Sequence, residues 1–264
     1  MGIDRQPRSS AEKARALIRS GEWTRPTASL APGFVQANLV ILPEPLADDF
    51  EAFCRLNQEA LPILERTKPG SPVPEKAAPT ADLRTDLPRY RLYRDGALIE
   101  EATDIVTLWH NDSVAFLIGC SFTFDSFLQE NGISVRHLEL GSNVPMYKTN
   151  RTTKPVGPFA GPLVVSMRPI RRIDVDRVAE ITRGLPFAHG APIQIGSPGE
   201  LGIPDIDMPD YGAALPIEPG KIPVFWPCGV TAQAAAVHSK IPRMITHAPG
   251  HMFITDCRLA GPLR

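Results

Sequence analysis

The sequence has a net charge of only −1, and it lacks a long hydrophobic run and a disulfide framework. Its 28 Lys and Arg almost balance its 29 Asp and Glu, so nothing in its electrostatics favours nucleic acid or an anionic membrane as a partner. No apolar run approaches the roughly 20 residues that cross a bilayer. The 4 cysteines have no framework spacing and no hydrophobic leader opens the chain, so we expect a reduced, cytoplasmic protein.

Proline, by contrast, is abundant. The 28 prolines among 264 residues predict many short elements and rigid turns instead of long helices. A hydrophobic fraction of 43% is typical of a globular protein and supports one large domain or two modest ones.

The segment 222–257 has the pattern of a strand, a turn, a helix and further strands. Val224 to Trp226 is a short apolar run that ends in a turn. Thr231 to Val237 is rich in alanine, with Thr231 as the expected N-cap, and a strand from Arg243 to Thr246 follows. Such a strand–helix–strand unit predicts parallel strands with a ligand at their carboxyl ends.

The segment 114–130 repeats this pattern. Both segments contain a strand, a cysteine, two further residues, a threonine and a helix. Cys120 therefore corresponds to Cys228, and Thr123 corresponds to Thr231.

If the repeat is real, two helix N-termini face one cleft. The residues there are Ser121 to Thr123 and Gly229 to Thr231, and their backbone N–H groups and positive dipole ends suit a carboxylate. The alternative is that Ser121, Thr123 and Thr231 only cap their own helices.

The two repeated segments lie on either side of a stretch that has a different pattern of predicted strands and helices. A strand from Gly161 to Arg168 and a helix from Ile173 to Arg183 predict a small α+β module there. We therefore predict an α/β fold with a mixed or parallel sheet. A core domain of residues 1–140 plus 222–264 would be interrupted by a smaller inserted α+β domain of residues 141–221, with the site in the cleft between them.

Three other segments carry structural predictions. Asp95-Gly96 lies between two strand-like runs and predicts a two-residue hairpin. Val135 to Leu140 is predicted to be a strand. Residues 66–88 form a Pro-rich connection of a length that often belongs to lids or binding loops.

Five side chains are candidates for catalysis. Cys120 and Cys228 could be nucleophiles with a lowered thiol pKa, or small buried residues at tight turns. His247 or His251 could act as a general acid or base, because their turn lies at the end of a strand. Lys148 could be a carboxylate anchor, a base with a lowered pKa, or part of a solvated strand edge. No metal motif is present, so neither a metal nor a cofactor is predicted.

Two candidates for substrate binding lie beside Lys148. In an extended chain, Tyr147 and Thr149 would turn to one face, and Lys148 and Asn150 to the other. Tyr147, on one face, and Asn150, on the other, are both predicted to contribute to substrate binding.

Three further candidates lie elsewhere in the predicted inserted domain. Arg168 ends a strand and is a second carboxylate anchor. His189 is a loop histidine that could bind the substrate. Asp205 shares a face with Asp207, and the pair could divide acid and base roles or simply belong to a wet acidic loop.

Several long motifs resemble those of one family. The stretches are LAPGFVQANLVILP (30–43), ADLRTDLPRYRLYRDG (81–96), FLIGCSFTFDSFLQENGI (116–133), NVPMYKTN (143–150), GPLVVSMRPI (161–170) and VFWPCGVTAQAA…HAPGHMFITD (224–256). They are similar to the bacterial putative hydro-lyase family, whose eukaryotic relatives include D-glutamate cyclase. The resemblance implies an α/β protein with an inserted second domain and a carbon–oxygen lyase activity. For the cyclase branch it implies conversion of D-glutamate to 5-oxo-D-proline and water.

This chemistry requires three kinds of group. Ring closure of glutamate needs a base near the amine, an acid or donors at the departing oxygen, and anchors for the carboxylate. A dehydratase acting on a hydroxy acid needs the same parts, so the residues predict water elimination from a small amino or hydroxy dicarboxylate. The alternative is a protein that binds a small anion or metabolite without catalysis. The sequence does not set the oligomeric state, and a homodimer is one option.

Overall fold

The computed structural model of the protein describes residues 10–259, whose strands form two antiparallel sheets. The larger sheet contains β1 (Phe34–Pro43), β2 (Ile63–Arg66), β3 (Tyr90–Arg94), β4 (Ala97–Ala102), β5 (Ser113–Gly119), β10 (Arg243–His247) and β11 (Phe253–Arg258). The smaller sheet contains β6 (Met146–Thr152), β7 (Pro162–Arg171), β8 (Gln194–Ile195) and β9 (Lys221–Pro227). The larger sheet has the order β2-β5-β1-β10-β3-β4, with β11 also paired to β1, and the smaller sheet has the order β6-β7-β9-β8.

The helices that the structure describes are short. They are α1 (Ala11–Arg19), α2 (Glu44–Leu56), α3 (Phe122–Glu130), α4 (Arg136–Glu139), α5 (Val175–Arg183) and α6 (Thr231–His238). Ser10 caps α1 by accepting a hydrogen bond from the backbone N–H of Lys13. The neighbouring candidate cap, Ser9, lies outside the described residues.

The α/β content that we predicted is present, but the parallel arrangement is wrong. Each strand pair in the part of the chain that the structure describes is antiparallel. The strands that flank α6 lie in different sheets, because β9 pairs with β7 and β8 whereas β10 pairs with β1 and β3. The segment 222–257 is therefore not a βαβ unit.

The composition of α6 explains this crossing between sheets. Its first six residues are buried, and its small side chains pack towards both sheets: Ala232, Ala235 and Ala236 lie with the core of the larger sheet, and Ala234 lies with Val164 of β7. A helix that is apolar on all sides belongs in a core and not on the outer face of one sheet. The predicted domain division at 141 and 221 stays a prediction; β9 begins at Lys221 and pairs with β7 across that boundary.

The two repeated segments share a local structure that does not depend on parallel strands. Thr123 Oγ1 accepts a hydrogen bond from Gln36 N at 3.1 Å and donates to Gln36 O at 3.4 Å. Thr231 Oγ1 makes the same two bonds with Val164 N and O, at 3.0 and 3.4 Å. Each threonine ties the first turn of its helix to a neighbouring strand. Neither threonine nor Ser121 caps its own helix with its side chain, and the N-cap of α6 is Val230.

Of the other structural predictions, the hairpin is confirmed and the strand at Val135 to Leu140 is wrong. Asp95 and Gly96 have φ of 50° and 76°, and β3 pairs with β4 around them. Val135 to Leu140 contains α4, whose turn is held by Ser134 and Arg136 side chains that both bond Glu139.

The long Pro-rich connection packs as part of the core. Residues 67–88 contain neither helix nor strand. Their apolar side chains, among them Ala78, Leu83 and Leu87, are buried with Leu39 and Leu117 of the larger sheet. The connection therefore covers one face of that sheet and belongs to its core; a role as a lid or binding loop stays a prediction.

Candidate functional site

The two repeated cysteines meet in the structure. Cys120 and Cys228 belong to one buried cluster and are only 6% and 7% exposed. Burial raises the pKa of both thiols, that of Cys228 to about 11. A nucleophilic cysteine needs a lowered pKa, so this geometry favours the space-filling alternative for both residues.

The helix N-termini beside these cysteines have little donor capacity left. Phe122 N donates to Cys120 Sγ at 3.4 Å, and the N–H groups of Thr231 and Ala232 donate to the carbonyls of Cys228 and Gly229. The backbone at Gly229 also lies against Asn38, since a Cβ there would be 2.2 Å from Asn38 Nδ2. The anion site at Ser121 to Thr123 and Gly229 to Thr231 stays a prediction, with several of its donors already engaged.

Arg168 is paired with a carboxylate of the protein itself. Its Nε and Nη2 donate to Asp125 at 2.6 and 2.8 Å, and its Nη1 and Nη2 donate to the hydroxyls of Ser166 and Ser121. Both charged side chains are fully buried, and the guanidinium lies 4.7 Å from the centroid of the Phe124 ring. Few donors of Arg168 remain for a substrate carboxylate.

The polar segment on β6 alternates as predicted. Tyr147 and Thr149 are buried, whereas Lys148 and Asn150 are exposed. The Tyr147 hydroxyl donates to a backbone carbonyl at 2.6 Å. Lys148 Nζ lies 3.4 Å from Asp210 Oδ1, which places Lys148 at the edge of the cleft described below.

Two of the predicted histidines are buried and uncharged. His247 Nδ1 lies 3.2 Å from Leu39 N, and burial lowers its pKa to about 3. His189 Nδ1 lies 3.0 Å from Glu59 O, and burial lowers its pKa to about 4. Neither histidine lines the cleft described below.

The predicted acidic pair lies in a wet loop. Asp205 and Asp207 are exposed, and Asp205 Oδ1 accepts a hydrogen bond from Asp207 N at 2.9 Å. This contact favours the solvated-loop alternative over a division of acid and base roles.

A cleft of about 340 Å³ brings charged side chains from distant segments together. We call it the arginine cleft; its polar lining residues are Arg89, Arg91, Glu101, Asn143, Asp210, Tyr211 and His251. Arg91 and Glu101 project from β3 and β4, and His251 from the turn between β10 and β11. Tyr211 is fixed by an isolated bridge to Met146 at the start of β6.

The two arginines of the cleft share one carboxylate. Arg91 Nε donates to Glu101 Oε1 at 2.8 Å, and Arg89 Nη1 donates to Glu101 Oε2 at 3.4 Å. Alternation along the chain places both arginines on one face, and Glu101 pairs with Arg91 across the hairpin. Each guanidinium has five N–H donors, so donors remain available, and Arg89 Nε is buried without a partner. The pair suits an incoming carboxylate.

A histidine, a tyrosine and an amide complete the cleft. Burial lowers the pKa of His251, against the opposing effect of the Pro249 and Thr24 carbonyls, so the imidazole is neutral at pH 7. Burial raises the pKa of Tyr211 to about 12, so its phenol keeps its proton. Asn143 Nδ2 donates to Pro249 O at 3.1 Å, and its buried Oδ1 has no partner.

A larger cavity, of about 740 Å³, contains His189 but fits a dicarboxylate less well. Its one arginine, Arg55, is already paired with Glu51, which also binds Arg66, and a second acid, Glu59, lines the same cavity. In the arginine cleft Arg89 and Arg91 share Glu101, and the second acid, Asp210, pairs with Lys148, so we take this cleft as the candidate site despite its smaller volume.

Most residues that line the arginine cleft were not among the site residues predicted from the sequence. The signal for the arginines was present, because RYRLYR alternates arginine with apolar residues and Glu101 lies across the predicted hairpin. Nothing local marks Tyr211 or Asn143, which reach the cleft only through the tertiary fold.

Two further observations apply to residues 10–259. No three or more His, Cys, Asp and Glu side chains within this range are grouped so as to hold a metal ion. No helix in the same range is both long enough and apolar enough to cross a membrane.

Comparison with known proteins gives consistent matches. The profile of a family described as D-glutamate cyclase matches residues 114–256. A protein of Bacillus licheniformis and one of Rubrobacter xylanophilus, both named "putative hydro-lyase", are each 56% identical to this chain. The alignments cover 94% of this chain in both cases, and 94% and 96% of those proteins.

More distant matches have the same coverage of this chain. A protein of Bordetella pertussis with the same name is 51% identical over 94% of this chain and 89% of its own. A solved structure of a nitrogen repressor-like protein from Methanococcus jannaschii aligns with 93% of this chain and 98% of its own, at 10% identity and a TM-score of 0.39.

Proposed function

We propose a reaction for this protein from one premise, which is that the chain belongs to the D-glutamate cyclase family. The reaction is elimination of water from a small amino or hydroxy dicarboxylate, with D-glutamate as the leading substrate and 5-oxo-D-proline as its product. The observation that carries the proposal is the pair Arg89 and Arg91 in one cleft with a neutral histidine and a neutral tyrosine.

The charges of the arginine cleft match those of glutamate. Arg89 and Arg91 would hold the two carboxylates, because each guanidinium has donors beyond those that bind Glu101. Glu101 and Asp210 would face the substrate ammonium. The site thus offers opposite charges to each ionised group of the substrate.

Ring closure also requires proton transfer. The ammonium loses two protons when it becomes the lactam N–H, and the departing carboxylate oxygen gains two when it leaves as water, so no net proton is exchanged. His251 would accept the first proton, and the Pro249 and Thr24 carbonyls beside it would stabilise the imidazolium. Tyr211 would donate one proton to the departing oxygen and recover one from the lactam nitrogen, and the imidazolium of His251 would give its proton to the same oxygen, so that water leaves and both side chains return to their neutral forms.

Lys148 and Cys228 have supporting places in this proposal. Lys148 Nζ pairs with Asp210 and lies 5.7 Å from the centroid of the Tyr211 ring, so it would position the tyrosine. The Cys228 thiol is near enough to contribute to the raised pKa of Tyr211. Lyase chemistry needs no covalent thiol intermediate, and none is proposed.

The test is a direct assay of the purified full chain. The protein is incubated with D-glutamate and, separately, L-glutamate, and mass spectrometry follows the loss of one water. Arg91→Met should lower kcat/KM at least about 100-fold, equivalent to about 2.7 kcal/mol of transition-state stabilisation. Arg94→Met, an exposed arginine at the end of the same strand, is the matched control and should retain activity.

Two outcomes would change the proposal. If neither enantiomer loses water but one binds, and Arg91→Met abolishes that binding, the protein is an anion-binding module and not a lyase. If Arg91→Met and His251→Asn are each as active as the wild type, the reaction takes place elsewhere.

A further inference from the structure

The two acids of the arginine cleft differ in how firmly the protein itself holds them. Glu101 accepts hydrogen bonds on both carboxylate oxygens, from Arg91 Nε at 2.8 Å and from Arg89 Nη1 at 3.4 Å. Burial alone would raise the pKa of Glu101, but the two arginines outweigh it and hold the pKa below its ordinary value. An ammonium group that approached Glu101 would also meet both guanidinium groups. Glu101 is therefore the less suitable of the two acids for a substrate amine.

Asp210, the other acid, has a partner that can be replaced. Its Oδ2 accepts a hydrogen bond from the backbone N–H of Lys148 at 2.8 Å, which fixes the carboxylate against β6. Its Oδ1 lies 3.4 Å from Lys148 Nζ, in an ion pair whose lysine and aspartate side chains are 47% and 34% exposed. An ion pair this open to water contributes little free energy. Another cation can therefore take the place of the lysine at Oδ1 while the backbone bond holds Asp210 in position.

The charges around the cleft also distinguish between classes of dicarboxylate. The cations are Arg89, Arg91 and, at the edge, Lys148, and the acids are Glu101 and Asp210. The cations thus exceed the acids by one, and the histidine of the cleft is neutral. A dicarboxylate that carries an ammonium group has a single net negative charge, which balances this excess. A dicarboxylate without an ammonium has a double negative charge and no group for Asp210 Oδ1.

We propose that Asp210 selects amino dicarboxylates over hydroxy and unsubstituted ones, and that Lys148 takes the place of the substrate ammonium in the substrate-free protein. When the substrate binds, its ammonium pairs with Asp210 Oδ1 and Lys148 Nζ moves away. Ring closure consumes the ammonium, so the lysine returns to Asp210 as the lactam leaves. This role of Asp210 rests on the proposed function, which assigns the dicarboxylate to the arginine cleft.

Calorimetric titration of the full chain with matched ligands tests this role. D-Glutamate and L-glutamate carry the ammonium, and glutarate has the same two carboxylates without it. All titrations are made in the His251→Asn background, which lacks the proposed base, so that turnover does not disturb the measurement. We expect one enantiomer of glutamate to bind at least about tenfold more tightly than glutarate, because the ammonium adds a charge-assisted bond to Asp210.

Three variants assign this preference to individual side chains. Asp210→Asn keeps an acceptor for the backbone N–H of Lys148 but loses the charge, so it should reduce the preference for glutamate to less than about threefold. Lys148→Met should increase the preference, because it removes a cation that competes with the ammonium and attracts the second charge of glutarate. Asp207→Asn, an exposed acid of the same loop that does not line the cleft, is the matched control and should leave the preference unchanged.

The result separates failure of this role from failure of the proposed function. If glutamate and glutarate bind equally well, or if Asp210→Asn keeps its Tm and the full preference for glutamate, the role of Asp210 is overturned and the proposed function stands. If none of the three ligands binds at concentrations up to about 10 mM, the arginine cleft is not a dicarboxylate site, and the proposed function is overturned together with the role of Asp210.

Discussion

The buried pair of Asp125 and Arg168 should dominate the local stability of the protein, and Asp125→Asn tests this. Both side chains are fully buried, and Asp125 accepts two hydrogen bonds from the guanidinium at 2.6 and 2.8 Å. The variant keeps the size of the side chain and removes its charge. Arg168 then remains as a buried cation without a counterion.

The magnitude follows from these contacts. Hydrogen bonds to a charged group contribute about 1.5–3 kcal/mol each, and loss of one partner of a buried ion pair costs about 3–5 kcal/mol. Asparagine keeps one acceptor oxygen, so one of the two bonds can persist. We therefore expect a loss of about 3 kcal/mol in the free energy of unfolding.

The assay is urea unfolding followed by circular dichroism and tryptophan fluorescence, with the midpoint and the slope compared between variants. The double variant Asp125→Leu/Arg168→Met removes both charges and should be within about 2 kcal/mol of the wild type. A loss of less than about 1 kcal/mol in Asp125→Asn would refute the reasoning, because the pair would then contribute no more than an exposed salt bridge.

Acid provides a second check on the same pair. Burial alone would raise the pKa of Asp125, but Arg168 and His137 outweigh it and hold the pKa below its ordinary value. The stabilisation is therefore complete above the unfolded pKa of about 3.9 and is lost as pH falls through the lower folded pKa. The difference between wild type and Asp125→Asn should shrink at the lowest pH at which both remain folded.

Three further predictions concern stability. Gly229→Ala places a Cβ 2.2 Å from Asn38 Nδ2 and should cost about 2 kcal/mol, whereas Gly199→Ala, where no atom lies within 4 Å, should change urea stability by less than about 0.5 kcal/mol. Thr231→Val removes both bonds to β7 and should cost about 1–2 kcal/mol by the same measurement, because the buried N–H of Val164 loses its acceptor, whereas Val164 O still accepts from Cys228 N. His247 has a pKa of about 3 in the folded protein. As the pH falls, the unfolded state therefore takes up a proton on His247 before the folded state does. Lowering the pH from about 6.5 to 5 should therefore remove about 2 kcal/mol of stability through His247, and a similar amount through the buried His189, whose folded pKa is about 4. His247→Gln should remove the His247 share and so roughly halve the slope; an unchanged slope would contradict the buried, neutral imidazole of His247.

Local signals in the sequence predicted most of the elements but not their arrangement. The hairpin at Asp95-Gly96 could be predicted because both turn residues tolerate positive φ and the flanking runs alternate. The sheet to which β9 belongs could not be predicted, since its apolar run pairs equally well with any strand. Only the burial of α6 on all sides, visible in its alanines, hinted that this helix lies between two sheets and not outside one.

The same limit applies to the candidate site. His251 and Lys148 were singled out and lie in the arginine cleft or at its edge. Arg91 could have been added, because it faces Glu101 across a hairpin that the sequence predicts. Tyr211 could not, since a single bridge to Met146 brings it there and no periodicity marks such a contact.

The contrast between the repeated segments and the arginine cleft has a physical cause. An anion site needs donors that the fold has left without acceptors. At the repeated segments Thr123 and Thr231 bond neighbouring strands, and the Arg168 guanidinium is bound to Asp125 and two serines, so their donors already have partners. Arg89 and Arg91 share one carboxylate at a sheet edge, which leaves donors free beside a neutral base and a neutral acid. The sequence signals of the repeat therefore report how the two sheets are joined, whereas binding capacity remains at the edge of the sheet.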